Sequence, residues 1–145
     1  MKAVIQRVKE ASVEIDNKIF SKINKGLLIL FCAEKNDTEE YIDFMANKIL
    51  NLRIFEDENN KMNLSLKDIK GEILIVSQFT LASDLKKGLR PSFDNAMEPK
   101  QAKEFYEKMI LKLKESNPGV QTGVFGADMQ VKLINDGPVT FVLNK

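Results

Sequence analysis

Residues 26–33 read Gly-Leu-Leu-Ile-Leu-Phe-Cys-Ala, and this apolar run constrains the fold more than any other feature of the sequence. With no polar side chain from Leu27 to Phe31 it has no solvent-facing side, so a strand formed here is buried on both faces. The run is far shorter than the roughly 20 residues needed to cross a bilayer. The opening segment, MKAVIQRVKE, carries Lys2, Arg7 and Lys9 and lacks the apolar core of a signal peptide. The expectation is a cytoplasmic protein with no membrane partner.

Periodicity places the other elements around that strand. Residues 11–16 alternate, with Val13 and Ile15 on one face; Asp16-Asn17 reads as a turn and 18–23 as a return strand. Asp37 followed by Glu40 has the form of a capping box. Ile42, Met45, Ile49 and Leu52 then mark one face of a first helix. The polar stretch 56–63 reads as a turn, and 72–76 as a strand that runs into Ser77-Gln78-Phe79-Thr80-Leu81. Pro99 suits the first turn of a second helix, whose stripe is Ala102, Phe105, Tyr106, Met109, Ile110 and Leu113. Asn117-Pro118-Gly119 ends it, and strand-like runs follow at 120–125, 129–134 and 139–143. The order β-β-β-α-β-α-β-β-β predicts a mixed, layered α/β/β fold. Twisted, largely antiparallel sheets carry the two helices in a single domain over residues 1–145.

Composition removes whole classes of chemistry. The 145 residues contain no His, so there is no imidazole base, no Ser-His-Asp triad and no His-ligated zinc. The single Cys, Cys32, allows no internal disulfide and no multi-Cys metal site, and its apolar surroundings predict a buried, inert thiol. No phosphate loop or calcium loop is present, so no metal or cofactor is expected. A net charge of +1, from 22 Lys+Arg against 21 Asp+Glu, excludes a strongly basic nucleic-acid clamp but not a local patch.

Three segments could carry chemistry. The first is Ser77-Gln78-Phe79-Thr80-Leu81, hydroxyl-rich and following a buried strand. Its backbone N–H groups could stabilise an oxyanion, or its hydroxyls could simply be solvated at a strand end. Ser77 or Thr80 would need a base to act as a nucleophile, and the sequence offers no histidine. The second is Asn135-Asp136-Gly137-Pro138-Val139-Thr140, where Gly-Pro reads as a turn between two strands. Were that X-Pro bond cis, two consecutive carbonyls would face one way and could hold an ammonium group. The third is the basic loop Lys86-Lys87-Gly88-Leu89-Arg90-Pro91, which could meet phosphate or be a solvated turn.

Taken together, these residues resemble the D-aminoacyl-tRNA deacylases of the bacterial and eukaryotic type. The matching motifs run in order along nearly the whole chain. Gln6-Arg7-Val8, Ala11-Ser12-Val13 and Asn51-Leu52-Arg53-Ile54-Phe55-Glu56-Asp57 come first. Lys61-Met62-Asn63, Ser77-Gln78-Phe79-Thr80-Leu81 and Arg90-Pro91-Ser92-Phe93 follow. Gln121-Thr122-Gly123, Phe125-Gly126-Ala127-Asp128-Met129 and the Gly137-Pro138 segment complete them. The resemblance implies a cofactor-free homodimer with its active site at the subunit interface. It implies hydrolysis of the ester joining a D-amino acid, or glycine, to the 3′-terminal adenosine of tRNA, as chiral proofreading that rejects L-aminoacyl-tRNA. Ser77, Gln78, Phe79 and Thr80 would line the ester, with the 2′-hydroxyl of the adenosine helping to activate water. Gly137 and Pro138, joined by a cis bond, would enter the partner's pocket and select the D configuration. Arg7 would help fix them there. Ala102, Phe125 and Met129 would surround the adenosine.

Overall fold

The computed structural model describes residues 1–86 and 88–145. Its spine is β1 (Lys2–Ile15), which uses both of its edges. On one edge its first half pairs antiparallel with β3 (Gly26–Cys32) and its second half with β2 (Lys18–Ile23). On the other edge the long strand β8 (Gln130–Asn144) runs beside it from Lys2 to Glu14. The β1–β2 connection is the expected turn: Asp16 and Asn17 both have positive φ, as a tight hairpin of this hand requires.

The buried strand is where the apolar run predicts it. β3 pairs in parallel with β6 (Glu72–Ser77), and β6 in parallel with β7 (Val120–Thr122). Gly26 is required at the start of β3, because a Cβ there would collide with the Glu72 carbonyl. The path β2-β1-β3-β6-β7 curls until its two ends meet, and the Ser21 hydroxyl donates to the Thr122 carbonyl at 2.8 Å. Helices α1 (Glu40–Asn51) and α2 (Pro99–Lys114) cover one face through Met45, Ile49, Met109 and Leu113 packed on Ile5, Ile29 and Ile75. The opposite face forms a second core of Val8, Val13, Leu28, Leu74 and Val76, against which Met129, Val131 and Leu133 pack.

The fold class is the expected mixed α/β with two helices; several details differ. The sheet is mixed, because both of β6's ladders are parallel. The stretch 56–63 is a turn only in its middle. Phe55–Glu56 (β4) and Met62–Leu64 (β5) pair across it, and Asp57 accepts the backbone N–H of Asn59 and Lys61. Those amides hold the Asp57 carboxyl below its usual range. The predicted capping box is not made. Helix α1 begins at Glu40 without a side-chain cap, and Asp37 instead accepts from the Met1 ammonium at 2.5 Å and the Glu34 amide at 2.6 Å. An ammonium group competes successfully because a charge-assisted hydrogen bond is the stronger one. Strand 120–125 stops at Thr122. The runs 129–134 and 139–143 are a single strand, β8, which continues through Gly137-Pro138 as a bulge rather than turning there.

Candidate active site

Both faces of β6 are buried, with Ile73 and Ile75 in one core and Leu74 and Val76 in the other. Its C-terminal end is therefore held rigidly, and Ser77 opens the segment singled out from the sequence. The Gln78 amide donates to the Phe31 carbonyl at 2.7 Å. The chain then enters a 3-10 turn, Phe79–Ala82. The first N–H groups of such a turn have no acceptor within it. The Gln78 side-chain amide donates to the Thr80 hydroxyl at 2.6 Å. That contact occupies a lone pair on Thr80 Oγ and leaves its proton free to donate; an amide cannot take that proton as a base.

Ser77, Gln78 and Phe79 line one side of a cavity of about 680 Å³. Ala102 contributes from α2, and Phe125 and Met129 from the segment after β7. The three residues expected to surround the adenosine and three of the four expected at the ester thus share one cavity. Thr80 adjoins it through Gln78. Phe93, which carries a matching motif but had no role assigned from sequence, also lines the cavity and packs on Phe79 at 5.0 Å between ring centroids. Phe79 itself is 56% exposed, leaving an apolar rim. Two carboxylates, Glu98 and Asp128, reach the lining. Glu98 already serves helix α2, accepting from the Lys100 and Gln101 amides.

The wall holding Phe125 and Met129 is tied back to β6. The Gly123 amide donates to the Ile75 carbonyl at 2.9 Å, and Val124 N–H lies 3.3 Å from Met129 Sδ. Beneath the cavity, Tyr106 of α2 donates its hydroxyl to the same Ile75 carbonyl at 2.8 Å, and its ring packs on Phe125.

Arg7, Gly137 and Pro138 form a second group, outside this cavity. Between Gln6 and Val8 the partner strand passes from Thr140 to Asn135, so four residues of β8, 136–139, bulge out opposite Arg7. The Gly137-Pro138 bond in this bulge is cis, and both residues are exposed. Arg7 is only 4% exposed. It donates Nε–H to the Asp136 carbonyl at 3.0 Å and Nη1–H to the Ile54 carbonyl at 2.7 Å. The Asp136 and Glu56 carboxylates lie 3.4 and 3.7 Å away. Two hydrogen bonds and two anions make its burial tolerable. Arg7 therefore braces the bulge from within its own chain.

Cys32 is buried beneath the Phe79 carbonyl, and burial first, then the Glu34 charge, pushes its thiol up to about 11. In the basic loop, Lys86, Gly88 and Arg90 are exposed on a loop whose base is bridged by Asp84 and Ser92; Lys87 lies outside the described residues. No helix among the described residues is long and apolar enough to cross a membrane.

The sequence profile described as D-Tyr-tRNA(Tyr) deacylase matches residues 4–144. A D-aminoacyl-tRNA deacylase of Aquifex aeolicus (strain VF5) is 58% identical over 144 residues, which cover 99% of this chain and 97% of that protein. Among solved structures, a c-Myc DNA Unwinding Element Binding Protein superposes with a TM-score of 0.96 at 43% identity, covering 100% of this chain and 99% of that one. A structure described as a probable eukaryotic D-amino acid tRNA deacylase shares the fold, with a TM-score of 0.87 at 17% identity over 98% of this chain and 97% of its own. A profile match over almost every residue and a relative 58% identical across 99% of the chain lead to one conclusion: the chain belongs to the D-Tyr-tRNA(Tyr) deacylase family.

Proposed function

We propose that this chain performs its family's D-aminoacyl-tRNA deacylation at the 77–80 segment, with the terminal adenosine of the tRNA seated in the adjoining cavity. The carrying observation is that Ser77, Gln78 and Phe79 share that cavity with Ala102, Phe125 and Met129. Water attacks the ester carbonyl carbon. The N–H groups of Phe79 and Thr80, at the start of the 3-10 turn, stabilise the resulting oxyanion. The bond to the 3′ oxygen then breaks, the free D-amino acid leaves, and the ribose recovers its 3′-hydroxyl. The chain contributes no histidine, and Thr80 is hydrogen-bonded to an amide rather than to a base. The proton is accordingly relayed by the 2′-hydroxyl of the substrate, which accepts one from the attacking water as it passes its own to the departing 3′ oxygen.

Chiral selection in this reading comes from a second copy of the chain. Gly137 and Pro138 enter the partner's site, hold the α-ammonium group through their carbonyls and leave no room for an L side chain. Glycine, which has no side chain, passes the same filter. The bulge on exposed β8, flanked by exposed Ile134, Phe141 and Val142, supports this role as a homodimer contact. The reaction belongs in the cytoplasm, where aminoacyl-tRNA is used.

The test is a matched deacylation assay with D-tyrosyl-tRNA and L-tyrosyl-tRNA at catalytic enzyme concentration. Rapid loss of the D form alone is the expected result. Equal loss of both would remove the selection role of Gly137-Pro138, and loss of neither by folded dimer would reduce the protein to an RNA-binding module.

A further inference from the structure

We infer that Tyr106 is a positioning residue for the adenosine end of the substrate, because its hydroxyl ties helix α2 to the one carbonyl of β6 that also holds the third wall of the cavity. This inference rests on the functional reading above. The first wall is helix α2, where Ala102 lies one turn before Tyr106 and so on the same face. The second is β6, whose Ile75 carbonyl accepts the Tyr106 proton at 2.8 Å, two residues before Ser77. The third begins at Gly123, whose amide donates to that same carbonyl at 2.9 Å and whose own carbonyl lies 3.5 Å from the Tyr106 oxygen.

A phenol has a single proton, so the short contact to Ile75 is the bond, and the longer approach to Gly123 adds only weak attraction. The Ile75 carbonyl uses both lone pairs and thereby fixes α2 and the start of the third wall relative to β6. The ring completes the arrangement. It packs on Phe125 at 6.0 Å and on Phe31 at 6.5 Å between centroids, and Phe31 is the residue whose carbonyl holds Gln78. Tyr106 itself does not reach the cavity lining, so its influence passes through Phe125, Ala102 and the strand end.

Removing only the hydroxyl, in Tyr106→Phe, leaves the core volume intact. The matched control is Tyr41→Phe, which alters the chain's other tyrosine, on α1. The probe is a non-hydrolysable 3′-amide of D-tyrosine with adenosine, titrated calorimetrically, alongside deacylation of D-tyrosyl-tRNA. Tyr106→Phe should weaken amide binding and raise KM by about three- to tenfold, the equivalent of one ordinary hydrogen bond, while kcat stays within about twofold. Tyr41→Phe should match the wild type. Amide exchange should accelerate at 123–129 in Tyr106→Phe and stay unchanged in α1 and β8. Unchanged affinity, equal weakening in both variants, or uniform acceleration of exchange across the molecule would each overturn the positioning role. Wild-type binding of the amide with no loss in Tyr106→Phe sinks this inference alone, whereas wild type that neither binds the amide nor deacylates sinks the functional reading and this inference with it.

Discussion

Gly137 shows how much one residue can decide. Its φ of +129° lies where side chains are rarely tolerated, and a Cβ there would come within 2.8 Å of Val139 Cγ2 and 3.3 Å of the Arg7 guanidinium. Gly137→Ala should therefore push the bulge away from Arg7. We expect at least about a tenfold loss of D-aminoacyl-tRNA deacylation, with a stability cost of order 1–3 kcal/mol, read from kcat/KM and the melting temperature. Arg7→Lys keeps the charge but not the fork that reaches Ile54 and Asp136 together, and should give a similar loss. Thr80→Ala removes a hydroxyl that has no base, and should retain activity within about tenfold. Near-complete inactivation of folded Thr80→Ala would instead indicate a Thr80 nucleophile. Cys32 gives a pH prediction. Its folded thiol titrates at about 11 against 9.0 when unperturbed, so the folded state holds its proton longer than the unfolded chain does. The resulting stability is complete below pH 9 and is lost as pH rises towards 11. Cys32→Ala should flatten that part of a stability-against-pH curve measured by urea denaturation.

At the scale of elements, what could be read from the sequence depended on how local the cause was. Strand β3, the Asp16-Asn17 turn and the Pro99 start of α2 were legible because each is dictated by a few neighbouring residues. The capping box at Asp37 was misread because its competitor, the Met1 ammonium, is distant in sequence. The Gly137-Pro138 segment looked like a hairpin turn because its real constraint, a full-length pairing of β8 with β1 and a buried Arg7, is invisible locally. Only the family resemblance points to the cavity residues; no spacing rule brings Ala102, Phe125 and Met129 together. Exposed apolar groups on β8 lead to a prediction of their own. Val142 is 66% exposed in the single chain. If β8 forms the proposed homodimer contact, Val142→Asp should convert dimer to monomer in sedimentation velocity and lower deacylation in parallel, with little change in the chain's own fold.

For the molecule as a whole, near-neutral charge limits how RNA can be held. A net charge of +1 gives no broad positive field, so affinity for tRNA must come from a few phosphate contacts and from the 3′ end. A plot of log affinity against log salt should have a slope of magnitude no more than about 3, well short of an extensive phosphate-binding surface. Hydrolysis of a D-aminoacyl-adenosine, which lacks the tRNA backbone, should hardly respond to salt. A steep slope measured by filter binding would point to a larger basic footprint than the charge distribution provides.

The pairing of β1 with β8 also governs how the protein is made. Lys2 sits opposite Asn144, so the spine emerges from the ribosome long before its second neighbour exists. Until then β1 can acquire only the nearby strands β2 and β3, and one edge remains open. Closing it requires contacts of very high sequence separation, which slow folding. Arg7 is thus translated near the beginning, can reach the Ile54 carbonyl midway, and meets the Asp136 carbonyl only at the end. Pulse-labelled hydrogen exchange during refolding should show β1–β3 protected before β8. An interrupted chain would have an early sheet, an open edge and no assembled bulge.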